Sequence, residues 1–67
     1  MERKKRFGLN LAIARNKKNI SAYELSLRLG KDKTYIGKIE NGKNYPSLSV
    51  VYEIMEILDV EPNELLK

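Results

Sequence analysis

The sequence predicts an all-α fold, one domain of five helices over residues 1–67. Three observations carry this expectation. Apolar residues recur at helical spacing; Ser, Asp and Pro stand where helices begin and Gly where they stop; no alternating apolar–polar run reads as a strand. A chain of 67 residues has room for one core. At this size about 60% of the surface exposed by the unfolded chain is buried on folding.

The first helix is expected from about Arg3 to Lys18, with Phe7, Leu11 and Ala14 on one stripe and Leu9 and Ile13 beside it. Gly8 within it costs about 1 kcal/mol relative to Ala, which implies tight contact with another helix. Asn19-Ile20 makes a turn. Ser21 then caps a second helix from Ala22 to about Leu29, with Glu24 placed to complete a capping box. Ala22, Leu25 and Leu29 face the core, and Gly30 ends the helix. After a three-residue connection, Gly30 to Asp32, Asp32 caps a third helix that stops at Asn41-Gly42. Pro46 keeps Tyr45 extended, Ser47 caps a fourth helix from Leu48 to about Leu58, and Pro62 opens a short last helix, Asn63 to Leu66.

The third helix has two chemically different faces. At ~100° per residue, Lys33, Thr34, Gly37, Lys38 and Asn41 share one arc, and Tyr35, Ile36 and Ile39 fall on the other. A short helix that is apolar on one side and cationic or amide-bearing on the other suits a DNA major groove. The second helix, a Gly-containing turn and this helix form a helix-turn-helix pattern over about residues 21–41.

Composition narrows the chemistry. The chain has no cysteine and no histidine, which removes thiolate ligands and the commonest general base and metal ligand. The serines and carboxylates form no catalytic spacing. No enzyme activity, metal site, cofactor or small-molecule ligand is expected. Charge is distributed unevenly. Residues 1–46 carry 12 of the 13 Lys+Arg and 4 of the 9 Asp+Glu, a net +8, whereas residues 47–67 carry one Lys and five acids, a net −4. A basic front with an acidic tail favours an oriented encounter with a polyanion. The run Arg3-Lys4-Lys5-Arg6 is expected to extend the first helix and add diffuse attraction.

The fourth helix carries more apolar surface than one contact uses. Leu48, Val51, Met55 and Leu58 form one stripe, expected to close the core; Val50, Ile54 and Ile57 form a second. The second stripe, with Tyr52, is the expected homodimer interface, since leftover apolar surface on a small domain marks an interaction site. The competing expectation is that the last helix folds back over it through Val60, Leu65 and Leu66.

Gly8, Leu11, Arg15, Ser21, Glu24-Leu25, Leu29-Gly30, Tyr35-Ile36, Ile39-Glu40-Asn41-Gly42, Pro46-Ser47-Leu48 and Leu58 stand in a recognisable order and spacing. In this the chain resembles the lambda-repressor/Cro-like helix-turn-helix family, over about residues 6–66. The resemblance implies a sequence-specific transcriptional regulator, most often a repressor, that binds duplex DNA as a homodimer on two half-sites. It places Lys33, Thr34, Gly37 and Lys38 against base edges. Ser21, Ala22 and Tyr23 at the start of the second helix, with Tyr35, Asn41, Lys43 and Asn44, are placed against phosphates. Tyr45 offers a further phenol. Arg15 and Glu40 match a structural ion pair between the first and third helices. Ala22 departs from the Gln that many members carry, leaving Tyr23 or water to take over its contacts; Gly37 reads no base by side chain. The expected setting is cytoplasmic, at the nucleoid when bound, with no membrane association and with a protein partner or anti-repressor as a possible regulator. The alternative is a protein-interaction module on the same scaffold that has lost specific DNA readout.

Overall fold

A computed structural model describes residues 2–67, and among these it contains five α-helices and no strand. They are α1 (Arg3–Lys17), α2 (Ala22–Arg28), α3 (Tyr35–Glu40), α4 (Leu48–Leu58) and α5 (Pro62–Leu66). Helix starts follow side-chain chemistry. The Ser21 hydroxyl accepts from the Glu24 N–H at 3.0 Å, and the Ser47 hydroxyl from the Val50 N–H at 3.3 Å. The reciprocal half of the expected capping box at α2 is absent. The Glu24 carboxylate instead accepts from Arg28 Nε one turn on, at 2.9 Å, where it gains a charged donor. Helix ends follow backbone geometry. Gly30 and Gly42 adopt φ of 73° and 76°, and the Lys31 and Lys43 N–H groups reach back to the Ser26 and Lys38 carbonyls, each at 3.0 Å. Both bonds satisfy carbonyls that a helix end leaves open.

The third helix begins later than the sequence suggests. Asp32 accepts from the Thr34 N–H at 2.7 Å as a cap should, but the next bond runs from the Tyr35 N–H to the Asp32 carbonyl at 3.1 Å, closing a tight turn. Helical bonding starts only when the Lys38 N–H reaches the Thr34 carbonyl. Lys33 and Thr34 therefore lie in the turn that leads into α3, and the connection between α2 and α3 is longer than three residues.

The core draws on every helix: Phe7, Leu11 and Ala14 from α1, Leu25 from α2 with Leu29 just after it, Ile36 and Ile39 from α3, four residues of α4, and Leu65 from α5. α1 packs on α3 and α5, and α2 on α3 and α4. Leu9 and Ile13 stay exposed on the far side of α1.

The four core residues of α4 are Val50, Val51, Ile54 and Leu58, which corrects the expected division of that helix. They draw on both predicted stripes and form one arc. Val50 and Ile54 are thus core residues, unavailable to a partner, and Ile57 is half-buried at the edge of the arc. Leu48, assigned to the core from sequence, is 69% exposed and Tyr52 is 58% exposed. α5 does not cover this outward face. It packs on α1, where Leu65 is buried and the buried Asn10 amide donates to the Leu65 carbonyl at 3.1 Å. A helix with apolar residues on most of its circumference can be divided in several ways, and only the neighbours select one.

α1 and α3 meet at Gly8. A Cβ at that position would lie 2.5 Å from the Ile39 carbonyl oxygen and 2.7 Å from that of Glu40. Both obstacles are backbone, so α1 would have to move off α3. Gly8→Ala is expected to lower stability by about 1–3 kcal/mol through overpacking, despite the better helix propensity of Ala. Chemical denaturation measures this, and a stabilised variant would contradict the close approach.

Candidate nucleic-acid interface

Two polar contacts from neighbouring helices fix α3. The Arg15 guanidinium meets the Glu40 carboxylate in a two-pronged pair, Nε to Oε2 at 2.7 Å and Nη2 to Oε1 at 3.0 Å, and both side chains are 13% exposed. Its remaining arm donates to the Ile20 carbonyl at 2.9 Å, tying in the turn between α1 and α2. The bond to Glu40 raises the Arg15 pKa above its ordinary value, against the opposing effect of burial. At the other end of α3, the Ile36 N–H donates to the Ser26 hydroxyl at 3.0 Å. That hydroxyl, in a fully buried residue, donates in turn to the Ala22 carbonyl at 2.8 Å. The bond gives a partner to an amide that the first turn of a helix leaves open.

Held this way, α3 and the turn before it present Lys33, Thr34 and Lys38 to solvent. Gly37 lies between them, and nothing stands within 4 Å of where its Cβ would be. Asp32 Oδ1 accepts from both the Thr34 hydroxyl at 2.6 Å and the Thr34 N–H at 2.7 Å, so the turn carrying Lys33 and Thr34 is ordered by its own side chains. The Thr34 hydroxyl is the main cause holding the Asp32 carboxyl below its ordinary pKa, followed by the Thr34 N–H, with smaller help from Lys38 and Lys33.

The ion pairs among the described residues are Arg15–Glu40 and Arg28–Glu24. Lys33, Lys38 and Lys43 are in neither pair. Asn41, Lys43 and Asn44 are exposed in the turn leaving α3. At the start of α2, Ser21 and Tyr23 are exposed, while Ala22 is half-buried against the core. Tyr35 is set deeper. Its ring packs on the core with Lys31 Nζ 5.4 Å from the ring centroid, and burial, then Glu53, raise the phenol above its ordinary pKa. Tyr45 stands edge-on to Phe7, ring centroids 6.1 Å apart.

Sequence reasoning passed over Ser26 and Asn10. Each is a polar residue that the fold buries, and each closes a gap in backbone hydrogen bonding. The signal for Ser26 was its place on the same side of α2 as Ala22, Leu25 and Leu29. Among the described residues no group of His, Cys, Asp and Glu is arranged to hold a metal ion, and no helix is long and apolar enough to cross a membrane.

Residues 11–65 match the helix-turn-helix family. The chain belongs to that family, in its Cro/C1-type form, whose members are DNA-binding transcription regulators and not enzymes. It is similar to an uncharacterized HTH-type transcriptional regulator, y4dJ, of Sinorhizobium fredii (strain NBRC 101917 / NGR234), with 30% identity over 66 residues. The match covers 98% of this chain and 86% of that protein. No solved structure matches the chain.

Gly37→Ala separates stability from binding at this surface. The added methyl enters open space and removes the mid-helix glycine penalty, for an expected gain of about 0.5–1 kcal/mol. If α3 sets its backbone against base pairs here, the same methyl weakens duplex binding. Thermal unfolding and a duplex titration on one preparation read both effects. A stabilised variant with unchanged affinity would contradict close backbone approach at Gly37.

Proposed function

We propose that this chain is a sequence-specific duplex-DNA-binding transcription regulator, a repressor that acts as a homodimer on an operator of two half-sites. The observation that carries the reading is the state of α3. It is locked from behind by Arg15–Glu40 and Ser26, and its outward lysines are in no ion pair among the described residues. In this reading Lys33 and Lys38 donate to guanine O6 and N7, Thr34 contacts a base edge or a thymine methyl, and Gly37 allows close approach. Ser21, Ala22, Tyr23 and Tyr35 contact phosphates from the α2 side. Asn41, Lys43 and Asn44 do so from the turn after α3. Such contacts set register while the α3 face reads sequence.

The dimer uses the outward face of α4. With Val50 and Ile54 in the core, the apolar surface left for a second copy is Tyr52 with Leu48 and Met55, while Ile57 lies on the opposite flank of the helix. Across a two-fold axis the same patch meets itself, so Glu56 and Asp59 of one copy approach those of the other. Salt screens that repulsion while weakening phosphate contacts, so dimerisation and DNA affinity respond to salt in opposite directions.

A second reading, docking of a protein partner, rests on the same region. Tyr52, Met55, Val60 and Pro62 line a shallow hollow beside Glu56, Asp59 and Glu61, a surface suited to a cationic, apolar-tipped segment.

Selection from a random duplex pool tests the proposal, with binders then titrated across salt. An enriched palindrome, steep loss of affinity with salt, and loss of the preference in Lys33→Ala/Lys38→Ala are expected. A pool that stays random contradicts sequence-specific regulation. Enrichment of single half-sites contradicts the dimer.

A further inference from the structure

The run Arg3-Lys4-Lys5-Arg6, expected from sequence to add diffuse attraction, has a defined place in the structure. It forms the first turn of α1, and that turn contains no acid. Cations at this end of a helix are repelled by the helix dipole, so local stability gives no reason for them. The backbone end of α1 is already capped, since the Glu2 carboxylate accepts from the Lys4 N–H at 3.2 Å. The argument therefore concerns side chains alone.

Those side chains have a defined place. Lys5 lies over Gly42, the residue that ends α3. Its Cγ is 2.7 Å, and its N and Cα each 3.5 Å, from where a Cβ of Gly42 would sit. The missing side chain at Gly42 lets α1 settle on the end of α3. The next residue, Lys43, is pinned by its N–H to the Lys38 carbonyl at 3.0 Å. Lys5 and Lys43 thus belong to adjoining, ordered turns, and neither is in an ion pair among the described residues. Arg3 and Arg6 continue the cationic surface around a shallow hollow whose wall includes Tyr45, held edge-on by Phe7.

We infer that Lys5, with Arg3 and Arg6, forms together with the Lys43–Asn44 turn a positioned seat for the DNA backbone, gripping phosphate outside the base pairs that α3 reads. The seat rests on the DNA-binding reading above. It adds α1 to the binding surface and makes Gly42 a spacer between two phosphate-binding turns as well as a helix stop. A positioned contact differs from a diffuse field in one measurable respect: it acts on particular phosphates.

The test uses Lys5→Met, which keeps the aliphatic stem over Gly42, and Lys5→Arg, which restores the charge. Each full-length chain is titrated across salt against a duplex carrying the selected site and against one of unrelated sequence. The flanking phosphates are replaced one at a time by neutral methylphosphonate. Lys5→Met is expected to weaken binding to both duplexes by about tenfold at low salt and to lower the salt slope by about 1, with Lys5→Arg restoring both. One methylphosphonate position should weaken the wild type by the same factor and leave Lys5→Met unaffected. Equal losses at every phosphate, or no loss in Lys5→Met while the wild type still prefers its site, would overturn the seat alone. A wild type without sequence preference, in which Lys5→Met still costs about tenfold and lowers the salt slope by about 1 while Lys5→Arg restores both, would overturn the regulator reading and leave the phosphate contact at Lys5 standing. Binding no tighter to duplex than to heparin would overturn both.

Discussion

The placement of one guanidinium, Arg15, decides whether this small domain holds α3 rigidly. α3 is only six residues long, too short to hold its own shape, because isolated helices under about 12–15 residues are marginal in water. Its position is imposed from outside. Arg15 joins α1 to Glu40 through two bonds and to the turn before α2 through a third, so one side chain relates three segments. Loss of either member of a nearly buried pair costs about 3–5 kcal/mol, a large part of the roughly 5–15 kcal/mol that stabilises a typical domain. Gly8 allows the α1 backbone to come close enough for this pairing, and Ser26 secures the opposite end of α3.

The buried face of α3 is thus held by partners on α1 and α2, while Lys33 and Lys38 are in no ion pair among the described residues, and this asymmetry supports the functional reading. The charge layout extends it across the molecule. Apart from Arg15, the cations of α1 and the α3 region are in no ion pair among the described residues, and Glu56, Asp59 and Glu61 gather beside Tyr52 and Met55. A polyanion is drawn to one side and repelled from the other. The two surfaces can then bind different partners without competing.

Much of this was legible in the sequence because local chemistry controls it. Ser21 and Ser47 cap as their positions imply, Gly30 and Gly42 end helices, and Gly8 marks the tight crossing. Arg15 and Glu40, 25 positions apart, were visible only through family resemblance, since nothing local pairs them. Other features escaped because they depend on tertiary packing. The α4 stripes were divided wrongly: Val50 and Ile54 face the core, and no periodicity shows which part of an over-apolar helix its neighbours will cover. α3 begins two residues after Lys33 because the chain first closes a tight turn, from the Tyr35 N–H to the Asp32 carbonyl. Asn10 and Ser26 serve backbone groups far away in sequence or on another helix, and no spacing rule reveals such partners.

The central claim is that DNA meets the α3 face while α4 and α5 stay clear. The direct measurement is a titration of the isotopically labelled chain with a short duplex, followed amide by amide by NMR. The account predicts shifts at Lys33, Thr34, Gly37 and Lys38 and in the Asn41–Asn44 turn, with Tyr52 to Glu61 unmoved. Shifts confined to Tyr52–Glu61, with the α3 amides unchanged, would contradict it.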